Sequence, residues 1–212
     1  MPPRTLEQQV SDLTERVFQI EHGGASIRYP LDSISQSIFQ QQLLKLGFER
    51  LGEVILPVAA NALRIRDFAS RKNFLVLVHS PGRSASAGIQ LTFNGDTGTN
   101  YGYRYEENGA TDVTSPNAAN IVLDGGGYSQ LSMIVMYVQN FPAQQKTIFS
   151  SGTFPGAAAA APSRVVTVGV WNNTSGPITE IAMILTPGTS NWNADSRMTV
   201  FATTTDLLIC PT

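Results

Sequence analysis

SRVVTVGVW, residues 163–171, places Val166, Val168 and Val170 at alternate positions. β-Branched side chains in a two-residue period belong to an extended strand, whose successive side chains point to opposite faces. LSMIVMYV, residues 131–138, repeats the pattern with Ile134, Met136 and Val138 on one face. Outward from these two runs the same texture continues. LGEVILPV (51–58), NALRI (61–65), NFLVLVHS (73–80), GIQLTF (88–93), YGYRYE (101–106) and NIVLD (120–124) precede them, KTIFSSG (146–152) falls between them, and ITEIAMILTP (178–187) and RMTVFATT (197–204) follow. Each is short, rich in Val, Ile, Phe, Thr or Tyr, and bounded by Gly, Pro, Asn or Asp. No helical period intervenes. The expectation is an all-β antiparallel sandwich or jelly roll over residues 47–212. GTFPGAAAAAPSR (152–164) reads as a loop despite its alanines, because Gly and Pro flank them.

Two segments precede the β region. In TLEQQVSDLTERVFQIEHGG the apolar residues Leu6, Val10, Leu13, Val17 and Ile20 are spaced 4, 3, 4, 3, the mean period of a coiled-coil seam. Thr5 and Gln8 have capping-box spacing and Gly23-Gly24 stops the helix, so residues 1–22 read as an α-helix. Arg16 at g and Glu21 at the following e position can bridge neighbouring helices. A helix this short is marginal alone, so the seam implies partners, and a homotrimer is expected. Residues 23–46, with a Tyr29-Pro30 break, a serine-rich stretch and a short helix over Ile38 to Leu46, read as a connector or attachment arm.

Composition narrows the function classes. The 212 residues are 42% hydrophobic and only 14% charged, with a net charge of −2, so no basic field is present to hold nucleic acid. No run approaches the roughly 18 apolar residues of a membrane span, and no signal peptide is read. The single cysteine, Cys210, implies synthesis in a reducing cytoplasm.

FNGDTGTNYGYRY, residues 93–105, is the densest cluster of polar oxygen and glycine. Asn94, Asp96 and Asn100 resemble the front of a calcium loop, but the sixth place lacks glycine and the twelfth, Tyr105, is not glutamate. Asn94-Gly95 after an alternating strand is instead a hairpin-turn signal. Asp124 followed by Gly125, Gly126 and Gly127 reads as a flexible turn; it precedes a strand, so no helix N-terminus is there to hold phosphate. His22 and His79 are the only histidines, Ser80 and Cys210 lack an elbow or base spacing, and Glu106 and Glu107 alternate faces. Asn172-Asn173-Thr174-Ser175 holds glycosylation sequons that read as a turn. No catalytic residue, metal site or cofactor is expected. Tyr101, Tyr103, Trp171 and Trp192 are the candidate contacts for a glycan or a protein partner.

Four stretches together, FNGDTGTNY, LSMIVMYV with KTIFSSG, VGVWNNTSGPITEIAMIL, and SRMTVFATT, resemble a C-terminal jelly-roll module of tailed-bacteriophage virion proteins. Phe93–Tyr101, Trp171–Ile181 and Met198–Ala202 carry the likeness; the tail to Thr212 departs from it. The resemblance implies a trimeric, non-enzymatic structural or adhesive protein on the virion surface. Its expected role is capsid decoration (cement) or head fibre, bound to the major capsid protein. A tail or baseplate receptor-binding protein that recognises host glycan is the alternative.

Overall fold

A computed structural model describes residues 47–126, 129–130, 132–154 and 161–203. The coiled-coil seam, the connector and the C-terminal tail therefore lie outside the described residues, as does 155–160 of the alanine-rich loop. The described chain forms twelve strands. They are β1 (Phe48–Ile55), β2 (Ala62–Ile65), β3 (Asn73–Ser80), β4 (Gly88–Phe93), β5 (Tyr101–Glu107), β6 (Val113–Ala118), β7 (Ile121–Asp124), β8 (Ser132–Gln139), β9 (Lys146–Phe154), β10 (Ser163–Trp171), β11 (Ile181–Thr186) and β12 (Arg197–Thr203).

All pairings are antiparallel, in two sheets: an eight-stranded one of order β1-β12-β3-β8-β9-β10-β5-β6, and a four-stranded one of order β2-β11-β4-β7. Setting aside β5, β6, β9 and β10 leaves β1-β12-β3-β8 facing β2-β11-β4-β7. That is the winding of a jelly roll, in which early and late strands interleave. The remaining four strands are two hairpins, β5-β6 and β9-β10, that widen one sheet beyond β8. All-β sandwich architecture is thus what the period-2 runs imply, and β6 is the strand they do not announce. Its sequence VTSPNA contains proline, is half-buried at best, and lies at the edge of the wide sheet.

The alternation converts directly into a core. On β8 the buried set is Ser132, Ile134, Met136 and Val138, and on β3 it is Phe74, Val76, Val78 and Ser80. Facing them, Ile89, Leu91 and Phe93 of β4 and Ile181, Met183 and Leu185 of β11 are buried from the other sheet. β7 packs under β5, β9 and β10, so the inserted strands also gain a partner layer. On β10 the face that turns inward is Val165, Thr167, Gly169 and Trp171, so the valine triad Val166, Val168 and Val170 points outward.

Gly169 marks a close approach of the two sheets. A Cβ there would lie 2.8 Å from Ile121 Cδ1 and 3.2 Å from its Cγ2. Gly169→Val is expected to destabilise the domain by about 1–3 kcal/mol through overpacking. Denaturant titration, read as a lower midpoint with unchanged slope, checks this; an unchanged midpoint would contradict the close approach.

Candidate functional site

The polar cluster at 94–100 is a structural brace. Asn94 and Gly95 have φ of 52° and 67°, and Asp96 N–H donates to the Phe93 carbonyl at 2.9 Å, closing the tight turn expected of Asn-Gly. The turn does not make a hairpin, however. Phe93 pairs with Ile181 in the four-stranded sheet, whereas Tyr101 pairs with Trp171 in the eight-stranded one. The loop therefore carries the chain from one sheet to the other.

Asp96 organises that crossing. Its Oδ2 accepts from Trp171 Nε1 at 2.7 Å and from Asn100 Nδ2 at 2.9 Å, and its Oδ1 accepts from Gly98 N–H at 2.8 Å. The Tyr101 hydroxyl accepts from Phe93 N–H at 3.0 Å and donates to the Asp96 carbonyl at 3.1 Å. Asn94 joins the far side: its Oδ1 accepts from Thr179 and Glu180 N–H, and its Nδ2 donates to the Pro177 carbonyl. The Asn94 and Asp96 oxygens that resembled calcium ligands are thus engaged by the protein's own donors. Among the described residues no group of three or more His, Cys, Asp or Glu side chains gathers for a metal.

Of the four aromatic candidates, three are core residues. Trp171 and Trp192 are 0% exposed and Tyr101 is 1% exposed, which leaves them no face for a glycan or partner. Tyr101 stacks on Trp171 at 6.2 Å, Phe93 packs on Trp171 at 5.5 Å, and Trp192 Nε1 donates to the Met183 carbonyl at 3.3 Å. Burial pushes the Tyr101 hydroxyl up to about 12. Tyr103 also points inward, half-buried and stacked on Tyr105.

Three charged side chains, Arg83, Asp124 and Lys146, are buried where the sequence reads only turns and strands. Arg83 Nη1 donates to Asp124 Oδ2 at 2.8 Å, with both side chains fully buried, and also donates to the Ala87 carbonyl. The Arg83 guanidinium lies 5.5 Å above the Phe154 ring. Its Nε and Nη2 have no acceptor among the described residues. Desolvation holds the Asp124 carboxyl above its ordinary range, against the pull of Gly126 N–H and of Arg83. Lys146, also buried, donates from Nζ to the carbonyls of Phe141 and Gln144 at 2.8 and 2.9 Å. Both cations tie loops to strands. Ser80 Oγ is likewise committed, sharing a hydrogen bond with Ser196 Oγ at 2.8 Å, and His79 sits opposite Met133 and Arg197.

Two surface features remain. A cleft of about 460 Å³, lined by Arg71, Lys72, Asn140, Thr174, Ser175 and Pro177, opens beside the loop that follows β9's hairpin partner. Asn140 holds its floor, donating from Nδ2 to the Arg71 carbonyl and accepting from Ile178 N–H. The other feature is the outer face of β8, β9 and β10, a shallow apolar depression of about 580 Å³ walled by Tyr137, Phe149, Val168 and Val170. The fold thus defines a two-sheet antiparallel sandwich with a braced end and one widened face. The chain matches no family model, no curated protein and no solved structure.

Two outcomes test this geometry. Desolvation tends to raise the Asp96 pKa, but hydrogen bonds from Trp171, Asn100 and Gly98 outweigh it and hold the carboxyl below its ordinary 3.8. A depressed carboxylate adds stability above its unfolded pKa and loses it as pH falls through the folded value. Asp96→Asn is therefore expected to lower stability by about 1–3 kcal/mol at neutral pH and to flatten the loss of stability below the ordinary 3.8. Thermal melts across pH check both; melts with calcium and with chelator should coincide. Asp124→Asn leaves the Arg83 charge buried without its counter-ion and is expected to cost about 3–5 kcal/mol in chemical unfolding.

Proposed function

We propose that the protein is a homotrimeric, non-enzymatic structural protein on the virion surface of a tailed phage, a capsid decoration (cement) or head-fibre protein. Residues 1–22 join three chains, residues 23–46 attach to the particle, and the β domain projects. The major capsid protein is the partner for the arm.

The observation that carries this reading is where the resembling stretches meet. Phe93–Tyr101 and Trp171–Ile181 come together at the Asp96–Trp171 hydrogen bond of 2.7 Å. The sheet crossing is a structural device: Phe93, Tyr101 and Trp171 are buried in the core, and the Asp96 carboxylate is taken up by the protein's own donors. The 4, 3, 4, 3 seam from Leu6 to Ile20 supports the trimer independently. A second reading, a trimeric receptor-binding protein of the tail or baseplate, is favoured by the cleft beside Asn140. Its Arg71, Lys72, Thr174 and Ser175 suit the hydroxyl and acidic groups of a host glycan.

Particles assembled without the protein separate the two. As a cement protein, its loss lets particles release DNA at a lower temperature while adsorption to cells is kept. As a receptor-binding protein, its loss leaves heat resistance intact and abolishes adsorption, which would overturn the leading reading. Deleting residues 1–46 is expected to leave a folded β domain that no longer joins particles.

A further inference from the structure

The aromatic side chains that the sequence offers as ligand platforms are buried or half-buried, and the structure exposes two others. Among the described residues Tyr137 and Phe149 are the exposed aromatics, at 41 and 50%. They are cross-strand partners on the outer face of β8 and β9. Their Cβ atoms therefore stand about 5 Å apart and the rings share one surface. The row continues over β10 and β5, with Phe149 opposite Val168 and Val168 opposite Arg104. Beside it runs a second outward row, in which Gln139 faces Thr147, Thr147 faces Val170, and Val170 faces Gly102. The second row ends on a residue without a side chain, so the surface sinks beside the bulky row. This is the depression of about 580 Å³. Crossing four strands, it is about 14 Å long.

Its polar groups are neutral. The Thr147 hydroxyl donates to Gln139 Oε1 at 2.6 Å, which leaves the Gln139 Nε2 hydrogens for a further acceptor. Where β9 begins and β10 ends, Gln145 Nε2 donates to Asn172 Oδ1 at 3.0 Å, and each amide keeps its other end for a partner. Arg104 is the one charged side chain that lines the depression, and it is paired with Asp112 at 3.2 Å.

These features select an occupant. The backbones of β8, β9, β10 and β5 are each paired on both sides, so an extended peptide cannot add by main-chain bonding. Even with the row of Val135 and Val166 included, the face covers on the order of 300–400 Å². A standard protein interface needs roughly 800 Å² from each partner. An acidic ligand would meet a cation already paired. A sugar ring meets every condition: its carbon-bound hydrogens lie on an aromatic face while its hydroxyls, pointing sideways, reach neutral amides.

We propose that the depression across β8, β9, β10 and β5 binds a short neutral oligosaccharide, its ring faces on Tyr137 and Phe149 and its hydroxyls on Gln139 and, farther along, on Gln145 and Asn172. The site shares no lining residue with the cleft beside Asn140. It is complete within a single chain and does not depend on which of the two roles above the protein has.

The test uses the full chain in four forms: unaltered, Phe149→Ala, Tyr137→Ala and, in the cleft, Lys72→Ala. Each is passed over an array of immobilised neutral and acidic oligosaccharides, and the affinity for the best-retained sugar is measured by calorimetry. Thermal melts verify that the exposed substitutions leave the sandwich folded, and sedimentation follows the mass. The unaltered chain is expected to retain neutral oligosaccharides, and Phe149→Ala and Tyr137→Ala to bind them about 10-fold more weakly or worse. No retention on the array, or retention of acidic sugars alone, would overturn the inference. Weakening confined to Lys72→Ala would move the sugar to the cleft, so that the inference falls while the receptor-binding reading stands. A drop in mass on Phe149→Ala, with sugar affinity unchanged, would assign the face to contacts between copies and overturn it as well.

Discussion

The chain leaves the four-stranded sheet at Phe93 and must enter the eight-stranded sheet at Tyr101, and the carboxylate of Asp96 is what fixes that passage. One oxygen takes the Gly98 N–H and shapes the loop; the other takes the Trp171 indole N–H and docks the loop on β10. Without this acceptor, a tryptophan nitrogen would be buried at the end of the core with nothing to bond, at a cost comparable to the hydrogen bond itself. Because β4 lies next to β11 and β5 next to β10, the position of this one loop sets how far the two sheets are displaced along each other. The aromatic packing of Phe93, Tyr101 and Trp171 follows from that placement.

The two inserted hairpins explain why one sheet is so much wider than its partner. β7 supports β5, β9 and β10 from the inside, so their inward residues are buried like any others in the core. Their outward residues face away from the four-stranded sheet and are covered by nothing in the described chain. The outer face of these strands therefore keeps exposed apolar side chains, among them Met133, Tyr137 and Phe149.

Much of this architecture is legible in the sequence, and the misreadings have physical causes. Strands such as β8 and β3 announce themselves because their inward and outward residues differ in kind. β6 does not, since VTSPNA is polar and carries a proline that its edge position tolerates. The Val166, Val168, Val170 triad reads equally well as core or as interface, because periodicity gives a face without saying which way it points. Asn94-Gly95 correctly signals a tight turn, but turn chemistry is local and does not determine whether the flanking strands pair. Trp171 and Tyr101 look like ligand platforms until their polar tips are matched to Asp96, 75 and 5 residues away in the chain. The Arg83–Asp124 pair spans 41 residues and carries no spacing signal; only the unusual burial of Asp124 beside its glycines reveals it.

The edges of the wide sheet carry a consequence of their own. At one edge β6 places Pro116, which has no N–H to offer, and Asn117, with φ of 53°, where the register with β5 shifts. At the other edge the β1 ladder shifts between Arg50 and Gly52. Neither margin presents an unbroken row of donors and acceptors to an incoming strand. An eight-stranded sheet could otherwise serve as a template, recruiting molecule after molecule into an endless ribbon. Interrupting both margins closes that route, so the breadth of the sheet does not by itself make a surface on which strands can add without end.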